Sequence, residues 1–262
     1  MSEYLRDESL RNLNMSKDAL DELNNSLIKI RDEENATISN NSSNQRFITA
    51  TYIIRFDQKG FKLYEYNKAM EYFNSAKEVE RFVFQLDSGE HHNSYKRKGK
   101  GIEIRFDSKN PNNCLFTVQD DQQVWVDSTF LTLQEVIKKY DNGNKLMRSS
   151  FVALSIQVLG VLIGVLFSLW VASKVSHRLS TPYPYGLAFI ITLLIFSNIW
   201  GYLYLALLKY VDTFWPNISF KEMTGLRKFM KDFAFSLFIV CCIAILSSVS
   251  WSLYGFLKSL SK

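Results

Sequence analysis

Three long apolar runs dominate the carboxyl-terminal half of the chain. They cover residues 151–173, 187–208 and 233–257, and none of them contains Asp, Glu, Lys, Arg or His. A helix of about 20 apolar residues spans the hydrocarbon core of a bilayer, and helices of soluble proteins rarely run that far without a charge. The pattern therefore predicts an all-α bundle of three transmembrane helices within residues 149–262.

Small and polar side chains share one face of the first run, and a similar face recurs in the third. The residues concerned are Ala153, Gln157, Gly160, Gly164, Ser168 and Ala172 in the first run, and Cys241, Ala244, Ser248, Ser252 and Gly255 in the third. Such faces let helix backbones approach closely. Two interpretations stay open, namely packing within the three helices of one chain and a seam at which several copies associate.

Asn198 lies at the middle of the second run, where its side-chain amide needs a partner inside the bilayer. One interpretation is a single interhelical hydrogen bond, with Gln157 or Ser247 as the partner. The other is a polar path through an oligomer, to which Gln157, Asn198, Ser248 and Ser252 contribute. Because the three runs carry no ionisable group, a proton-coupled or ion-coupled transporter is disfavoured.

The stretch between the second and third runs, residues 219–232, is predicted to form a short amphipathic helix. Ser219 and Glu222 match a capping box. Apolar residues then recur at a spacing near 3.6, with lysines and arginines beside them. On the cytosolic side of a membrane, such a helix would lie among anionic headgroups.

The first 45 residues are assigned to an amphipathic helix and a polar linker. Leucines and isoleucines from Leu10 to Ile30 keep heptad-like steps, interrupted at Ser16, and predict one helix over residues 8–32. Polar residues at 33–45 predict the linker. Whether this helix packs on its own domain or pairs with another chain stays open.

From residue 46 the pattern changes to short strands and helices. Alternation of apolar and polar positions predicts strands over 48–56, 61–66, 101–107, 114–119 and 123–127. Capping boxes formed by Ser75 with Glu78 and by Thr132 with Glu135 predict two helices that begin there. The order β-β-α-β-β-β-α within residues 46–148 is typical of an α+β domain with an antiparallel sheet.

Charge separates the two halves of the chain and predicts its orientation. Residues 1–150 carry 22 Lys and Arg against 23 Asp and Glu, whereas residues 151–262 carry 9 against 3. The basic pI thus comes from the apolar half and does not indicate nucleic-acid binding. Basic flanks, together with the lack of a signal peptide in the first 30 residues, predict a multi-pass protein of the cell (inner) membrane. Its amino terminus would be cytosolic and its carboxyl terminus external.

The sequence contains none of the common catalytic or metal-binding motifs. There is no phosphate-binding loop, dinucleotide fingerprint, nucleophile elbow or zinc-protease motif. His91 and His92 lack a second ligand cluster at a recognisable spacing, and Cys114 carries no mark of a nucleophile. We therefore expect no catalysis, no metal and no cofactor. A membrane-bound enzyme that uses His91, His92 or Cys114 is kept as an alternative.

One loop concentrates positive charge. Lys96, Arg97, Lys98 and Lys100 fall within six residues that also include two glycines. This composition suits a phosphate-bearing ligand or contact with an anionic membrane surface. It is equally compatible with a solvated loop between two elements.

Taken together, the layout couples a sensing or partner-binding domain to membrane helices through a short join at residues 142–150. It resembles the membrane effectors of prokaryotic antiviral and abortive-infection systems, in which helices depolarise the membrane once a cytosolic domain responds to infection. The resemblance implies a homo-oligomeric effector that permeabilises or depolarises the bilayer, since three helices do not enclose a pore alone. The alternative is a passive anchor or adaptor that recruits a cytosolic protein partner.

Overall fold

The computed structural model of the chain describes residues 4–38, 47–95 and 97–221, and in addition residues 229, 233 and 236. Its strands are β1 Tyr4–Ser9, β2 Leu13–Asn14, β3 Ile48–Phe56, β4 Lys59–Leu63, β5 Val79–Ser88, β6 Gly101–Asp107, β7 Leu115–Asp120 and β8 Ile218–Ser219. Its helices are α1 Lys17–Ile38, α2 Tyr66–Ser75, α3 Gly89–Asn93, α4 Gln123–Lys138, α5 Ser150–Val175 and α6 Pro184–Phe214.

Six of the strands form one antiparallel sheet in the order β1-β7-β6-β5-β3-β4. The predicted α+β class with an antiparallel sheet is confirmed. The β3–β4 hairpin turns at Asp57 and Gln58, which both have positive φ as two-residue hairpin turns require. The second strand of this hairpin begins at Lys59 and ends at Leu63, so it is earlier and shorter than predicted.

The core of this sheet domain lies between one face of the sheet and helices α1, α2 and α4. Alternate residues of the central strands point into it, including Phe82, Phe84, Phe106 and Phe116, all fully buried. Phe116 of β7 stacks on Phe130 of α4 at 4.4 Å between ring centroids. Burial of each such side chain contributes roughly 1.5–3 kcal/mol, which makes this layer the main source of the domain's stability.

The helix predicted over residues 8–32 is wrong in its first part. Residues before Leu10 form β1, an edge strand that pairs with β7, and Leu10 and Leu13 are buried beyond it. The helix begins only after Ser16, whose hydroxyl accepts a hydrogen bond from the Ala19 amide (3.4 Å). The residue that interrupts the heptad steps is therefore the start of α1. This helix continues into the predicted linker as far as residue 38, beyond which residues 39–46 lie outside the described part.

The helix predicted after Ser75 is a strand, β5, and Ser75 instead ends α2. The misleading signal was the spacing of Val79, Phe82, Val83 and Leu86, which suits a helical face. From Arg81 to Asp87, buried and partly exposed residues alternate as in a strand, and only the buried Val83 interrupts that alternation.

The strand predicted at 123–127 and the helix predicted from Thr132 are together one helix, α4. Thr132 lies in its interior and donates its hydroxyl to the Ser128 carbonyl oxygen (2.8 Å). The buried residues Val126, Phe130 and Leu133 recur at helical spacing across the predicted boundary. Contact of this face with the sheet outweighs the local preference of β-branched residues for strands.

Two helices of the described chain, Ser150–Arg178 and Pro184–Phe214, are long and apolar enough to cross a membrane. Only 22% of the most apolar stretch of the first is buried, and none of the second. Core helices of soluble proteins are mostly buried, so this exposure supports association with a membrane. The third predicted span, at 233–257, falls almost entirely outside the described residues, and the three-helix bundle stays a prediction.

After α6 the chain returns to the sheet domain, and residues up to Lys221 belong to one compact unit. Ile218 and Ser219 form β8, which pairs in parallel with β2. Ser219 is therefore a strand residue and does not start the predicted amphipathic helix, because its backbone is engaged by β2. The rest of that prediction falls on residues 222–232, of which the structure describes only residue 229.

Candidate functional site

The structure divides the basic loop, residues 96–101. Lys96 lies outside the described residues, and the side chains of Arg97 and Lys98 are exposed. Lys100 instead turns inward, where it pairs with Glu34 and approaches Asp120 (4.0 Å) and the Trp125 ring (4.6 Å). The described cations of the loop thus do not converge on one ligand, since Lys100 is committed to the domain.

Asp120, which faces Lys100, is the most unusual carboxyl group of the sheet domain. It is 2% exposed, and its Oδ2 atom accepts no hydrogen bond from the residues that the structure describes. Burial, with a hydrogen bond to neighbouring Asp121, raises the pKa of Asp120 to about 6, although Lys100 acts in the opposite direction. We assign Asp120 a structural position, because it is buried beside Lys100 and lines neither of the two described cavities.

The small-residue face of α5 packs against α6. Gly160 and Gly164 are buried, and a Cβ atom added to them would lie 1.9 Å from Trp200 and 2.5 Å from Phe196, respectively. Ser168 continues the same face and is fully buried. These three candidates therefore lie together at a contact within one chain.

The polar candidates of the apolar helices lie elsewhere. Gln157 and Asn198 are both exposed on the helix surfaces. The Asn198 amide donates to the Leu194 carbonyl oxygen of its own helix (3.1 Å). Ser248 and Ser252 lie outside the described residues. The structure thus does not gather these side chains into one path within the described part of the chain.

The residues of the enzyme alternative are dispersed. His92 is exposed, whereas His91 is buried with its Nε2 atom 3.6 Å from Asp87, and Cys114 is buried at the start of β7. Burial raises the pKa of the Cys114 thiol and thus disfavours the reactive thiolate. Among the residues described, no group of three or more His, Cys, Asp and Glu is placed to hold a metal ion.

The feature that stands out is the junction, defined as β2, β8, residues 141–149 and the end of α6. Here the segment that follows α6 becomes part of the sheet domain. The Leu13 amide donates to the Asn217 carbonyl oxygen (2.9 Å), and the Met15 amide donates to that of Ser219 (2.7 Å). Residues about 200 positions apart in the sequence are thereby joined by backbone hydrogen bonds.

Asn217 is the central side chain of the junction. It is 3% exposed, its Oδ1 atom accepts from the Asn12 amide (3.0 Å), and its Nδ2 atom donates to the Leu10 carbonyl oxygen (3.4 Å). The same Nδ2 atom lies 3.8 Å from the Cys114 sulfur. One buried amide thus links the segment after α6 to the segment between β1 and β2. A buried amide without such partners would be costly.

The join between α4 and α5 is held to the same point. The side-chain amides of Asn142 and Asn144 both donate to the Pro216 carbonyl oxygen, at 3.3 and 3.1 Å. Arg148, just before α5, pairs with Asp212 of α6 (2.7 Å) and donates to the Trp215 carbonyl oxygen (2.9 Å). The start of α5 and the end of α6 are therefore fixed to each other and to the sheet domain.

No family model, curated protein or solved structure matches this chain. The junction is consequently interpreted from its own geometry.

Sequence reasoning identified the join at 142–150 and missed Asn217, and it placed Phe220 on the apolar face of the predicted amphipathic helix. Phe220 enters the sheet-domain core and meets Phe73 edge-on at 6.2 Å. Lys221 follows and donates to the Ala76 carbonyl oxygen (2.5 Å). A two-residue strand leaves no periodic signal, and its partner lies about 200 residues earlier in the chain.

Proposed function

We propose that this chain is a multi-pass membrane effector in which the sheet domain binds a cytosolic partner or ligand and controls the membrane helices through the junction. The observation that carries the proposal is the return of the chain after α6 into the sheet domain, where Asn217 and Phe220 are buried. A domain that only has to be tethered needs a single covalent connection. Here both ends of the α5–α6 pair are held.

The junction supplies a physical route for control. A shift of the segment between β1 and α1 would act directly on Asn217, which it holds by two hydrogen bonds. A shift of the end of α4 would act on α5 through Asn142 and Asn144, which bond to the same carbonyl oxygen. Both routes converge on a few residues at the end of α6, so a small change in the domain would reach both helices.

The helix surfaces supply the second part of the argument. Large apolar side chains such as Phe167, Trp170 and Ile190 face outward from α5 and α6. In water such an apolar surface would have to be buried against other protein chains. We propose that it faces lipid and further copies of the chain, because two or three helices do not enclose a conducting path and an oligomer is required.

The proposal places the sheet domain in the cytosol and the protein in the cell (inner) membrane, on the basis of the flanking charges. A role in an antiviral or abortive-infection response stays a prediction from the resemblance in layout.

A passive anchor is the second candidate, and one observation favours it. Gly160 and Gly164, the strongest small-residue signal for self-association, are covered by Trp200 and Phe196 of the same chain. An anchor requires no oligomer and no polar path. In that case the junction would merely make the attachment rigid.

Membrane potential in bacterial cells distinguishes the two candidates. A voltage-sensitive dye would be followed after induction of the full chain, of Asn217→Ala, of Asn198→Leu and of a chain ending at Arg148. We expect Asn217→Ala to depolarise cells faster than the full chain, because it removes a restraint on the end of α6. The chain ending at Arg148, which lacks the apolar helices, should leave the potential unchanged.

Asn93→Ala is the matched control, since Asn93 is exposed on α3 away from the junction, and it should behave as the full chain does. Asn198→Leu should slow any depolarisation if the Asn198 amide contributes to the conducting path. Equal and unchanged potentials in all variants, at equal amounts in the membrane, would favour the anchor and contradict the effector.

A further inference from the structure

A cleft of about 650 Å³ opens at the junction, between the end of β1, the end of α4 and the start of α5. Its lining includes Arg11, Lys138, Lys145 and Arg148, against the two carboxylates of Glu8 and Asp141. Positive charge therefore prevails in it. The sheet domain as a whole is close to neutral by sequence, so this excess is local.

Three of the four cleft cations have no carboxylate partner among the described residues, unlike many basic residues of the sheet domain. Arg6, Arg55, Arg81, Lys109 and Lys139 each form an ion pair. By contrast, Arg11, Lys138 and Lys145 form none within the described part of the chain.

The carboxylates of the cleft are engaged by neutral donors instead. Glu8 accepts a hydrogen bond from Gln134, and Asp141 accepts one from the Gly143 amide (2.7 Å). The two acids are thus occupied locally while three cations stay available, which leaves the cleft suited to an anion from outside the chain.

The first turn of α5 adds hydrogen-bond donors to the cleft, whose lining includes Ser149 and Ser150. The Ser149 hydroxyl donates to the Leu146 carbonyl oxygen (2.6 Å) and does not cap the helix. The first backbone amides of a helix have no partner within the helix, and without a capping side chain they favour binding of an anion. The helix dipole also attracts an anion to this end of the helix.

The cleft also lies where the apolar helix begins. The candidate membrane segment starts at Ser150, and its second residue, Phe151, has an exposed side chain. Leu146, just before the segment, is exposed as well. If the proposed membrane placement is correct, on which this inference rests, the cleft opens at the level of the lipid headgroups.

We propose that this cleft binds the phosphate group of an anionic phospholipid headgroup. Arg11, Lys138 and Lys145 supply the charge, and the first turn of α5 supplies backbone donors. Arg148 is already held by Asp212 and keeps the wall of the cleft in place. Because the cleft includes Asn217 in its lining, an occupied cleft would also stabilise the junction.

The test uses the full chain purified in dodecyl maltoside micelles. Binding of dihexanoyl phosphatidylglycerol, dihexanoyl phosphatidylcholine and sodium phosphate would be measured by titration calorimetry. The cleft variant is Arg11→Gln with Lys145→Gln. The matched control is Arg97→Gln with Lys98→Gln, which removes the same two charges from the exposed basic loop. All four substituted side chains are exposed, so both variants should fold.

We expect phosphatidylglycerol to bind the full chain about tenfold or more tightly than the zwitterionic phosphatidylcholine. The cleft variant should weaken that binding about tenfold, through loss of two charge-assisted contacts, and the control should change it less than about twofold. An equal loss in both variants, or equal binding of the two lipids, would overturn the proposal. Sodium phosphate binding as tightly as phosphatidylglycerol would overturn the lipid assignment.

These measurements require no ion conduction. Lipid binding without depolarisation would therefore contradict the proposed effector while supporting the cleft, and depolarisation without selective lipid binding would do the reverse.

Discussion

The sheet domain and the α5–α6 pair arrange large and small side chains in opposite ways. In the sheet domain, large side chains such as Phe82 and Phe84 are fully buried. In the α5–α6 pair, Gly160 and Gly164 are buried, whereas large residues such as Trp170 face outward. The two regions thus differ in the size of the side chains that each places inside, in addition to their apolar content.

The physical reason lies in what surrounds each region. Water drives large apolar side chains into the interior of the sheet domain. Lipid tails provide no such drive, so apolar helices in a membrane associate through close packing, which small residues permit. The contrast therefore predicts in which region a given change of side-chain size lowers the free energy of unfolding.

The largest effect is expected from Phe84→Ala in the sheet domain. Phe84 is fully buried and meets the rings of Phe82, Tyr52 and Tyr66 at 4.9, 5.9 and 6.3 Å. Its truncation should lower the free energy of unfolding by about 3–5 kcal/mol. Urea titration of the full chain in micelles, followed by near-ultraviolet circular dichroism, measures this.

Phe151→Ala in α5 is the matched control, because the Phe151 side chain is 72% exposed. It should change the free energy of unfolding by no more than about 0.5 kcal/mol. Similar losses for both phenylalanines would contradict the inverted arrangement of the two regions.

A smaller effect is expected from Gly160→Leu in α5. The added Cβ atom alone would lie 1.9 Å from the Trp200 ring, so the helices must separate or the ring must move. Overpacking of this kind costs up to about 3 kcal/mol. The loss would be measured by titration with sodium dodecyl sulfate in mixed micelles, with helix content as the signal.

Gly201→Leu is the control for this substitution, since no described atom beyond the adjoining helix backbone and chain neighbours lies within 4 Å of a Cβ atom built at Gly201. It should be neutral or slightly stabilising, because leucine has the better helix propensity. If Gly201→Leu destabilised the helices as much as Gly160→Leu does, the α5–α6 contact described above would be incorrect.

The smallest effect, about 2 kcal/mol, is expected from Asp120→Asn, and it depends on pH. The apolar helices bury no ionisable group in the described residues of their central runs, whereas the sheet domain buries Asp120. Its pKa is raised to about 6 from 3.8. A raised carboxyl pKa contributes stability below about pH 4, and that contribution is lost as the pH rises through about 6.

Asparagine carries no charge at any pH and removes this dependence. The variant and the intact chain should be similar in stability near pH 4, and the variant should be more stable by about 2 kcal/mol near pH 7.5. Urea titrations at both values measure the difference. A constant difference across this range would show that Asp120 does not titrate as its burial implies.

Much of the sheet domain could be predicted from the sequence, and the errors share a cause. The strands around 48–56 and 101–107 were predicted well, because one face of each is buried and alternation is clear. β5 was mistaken for a helix because Val83, buried on the face opposite Phe82 and Phe84, interrupts the alternation and completes a helix-like spacing. β1 was missed because its pairing partner lies more than 100 residues away and its apolar residue Leu5 points outward.

The candidate site was less predictable than the fold. The sequence drew attention to Lys100, which the structure places in an ion pair inside the domain. It drew none to Asn217 or Arg11, because neither belongs to a motif. The roles of a single buried asparagine, and of an arginine with no ion-pair partner among the described residues, depend on the residues that surround them in the fold.

The sequence by itself determined the properties that depend on local composition. These are the apolar helices, which follow from the length of uncharged runs, the α+β class of the amino-terminal half, and the lack of familiar catalytic motifs. The tertiary structure alone decided that β8 returns to pair with β2, that α5 packs its glycines against Trp200 and Phe196, and that a basic cleft forms at the junction. Those features join residues that are far apart in the chain. No local sequence pattern encodes which distant backbone group completes a hydrogen bond, or which charged side chains the fold brings together.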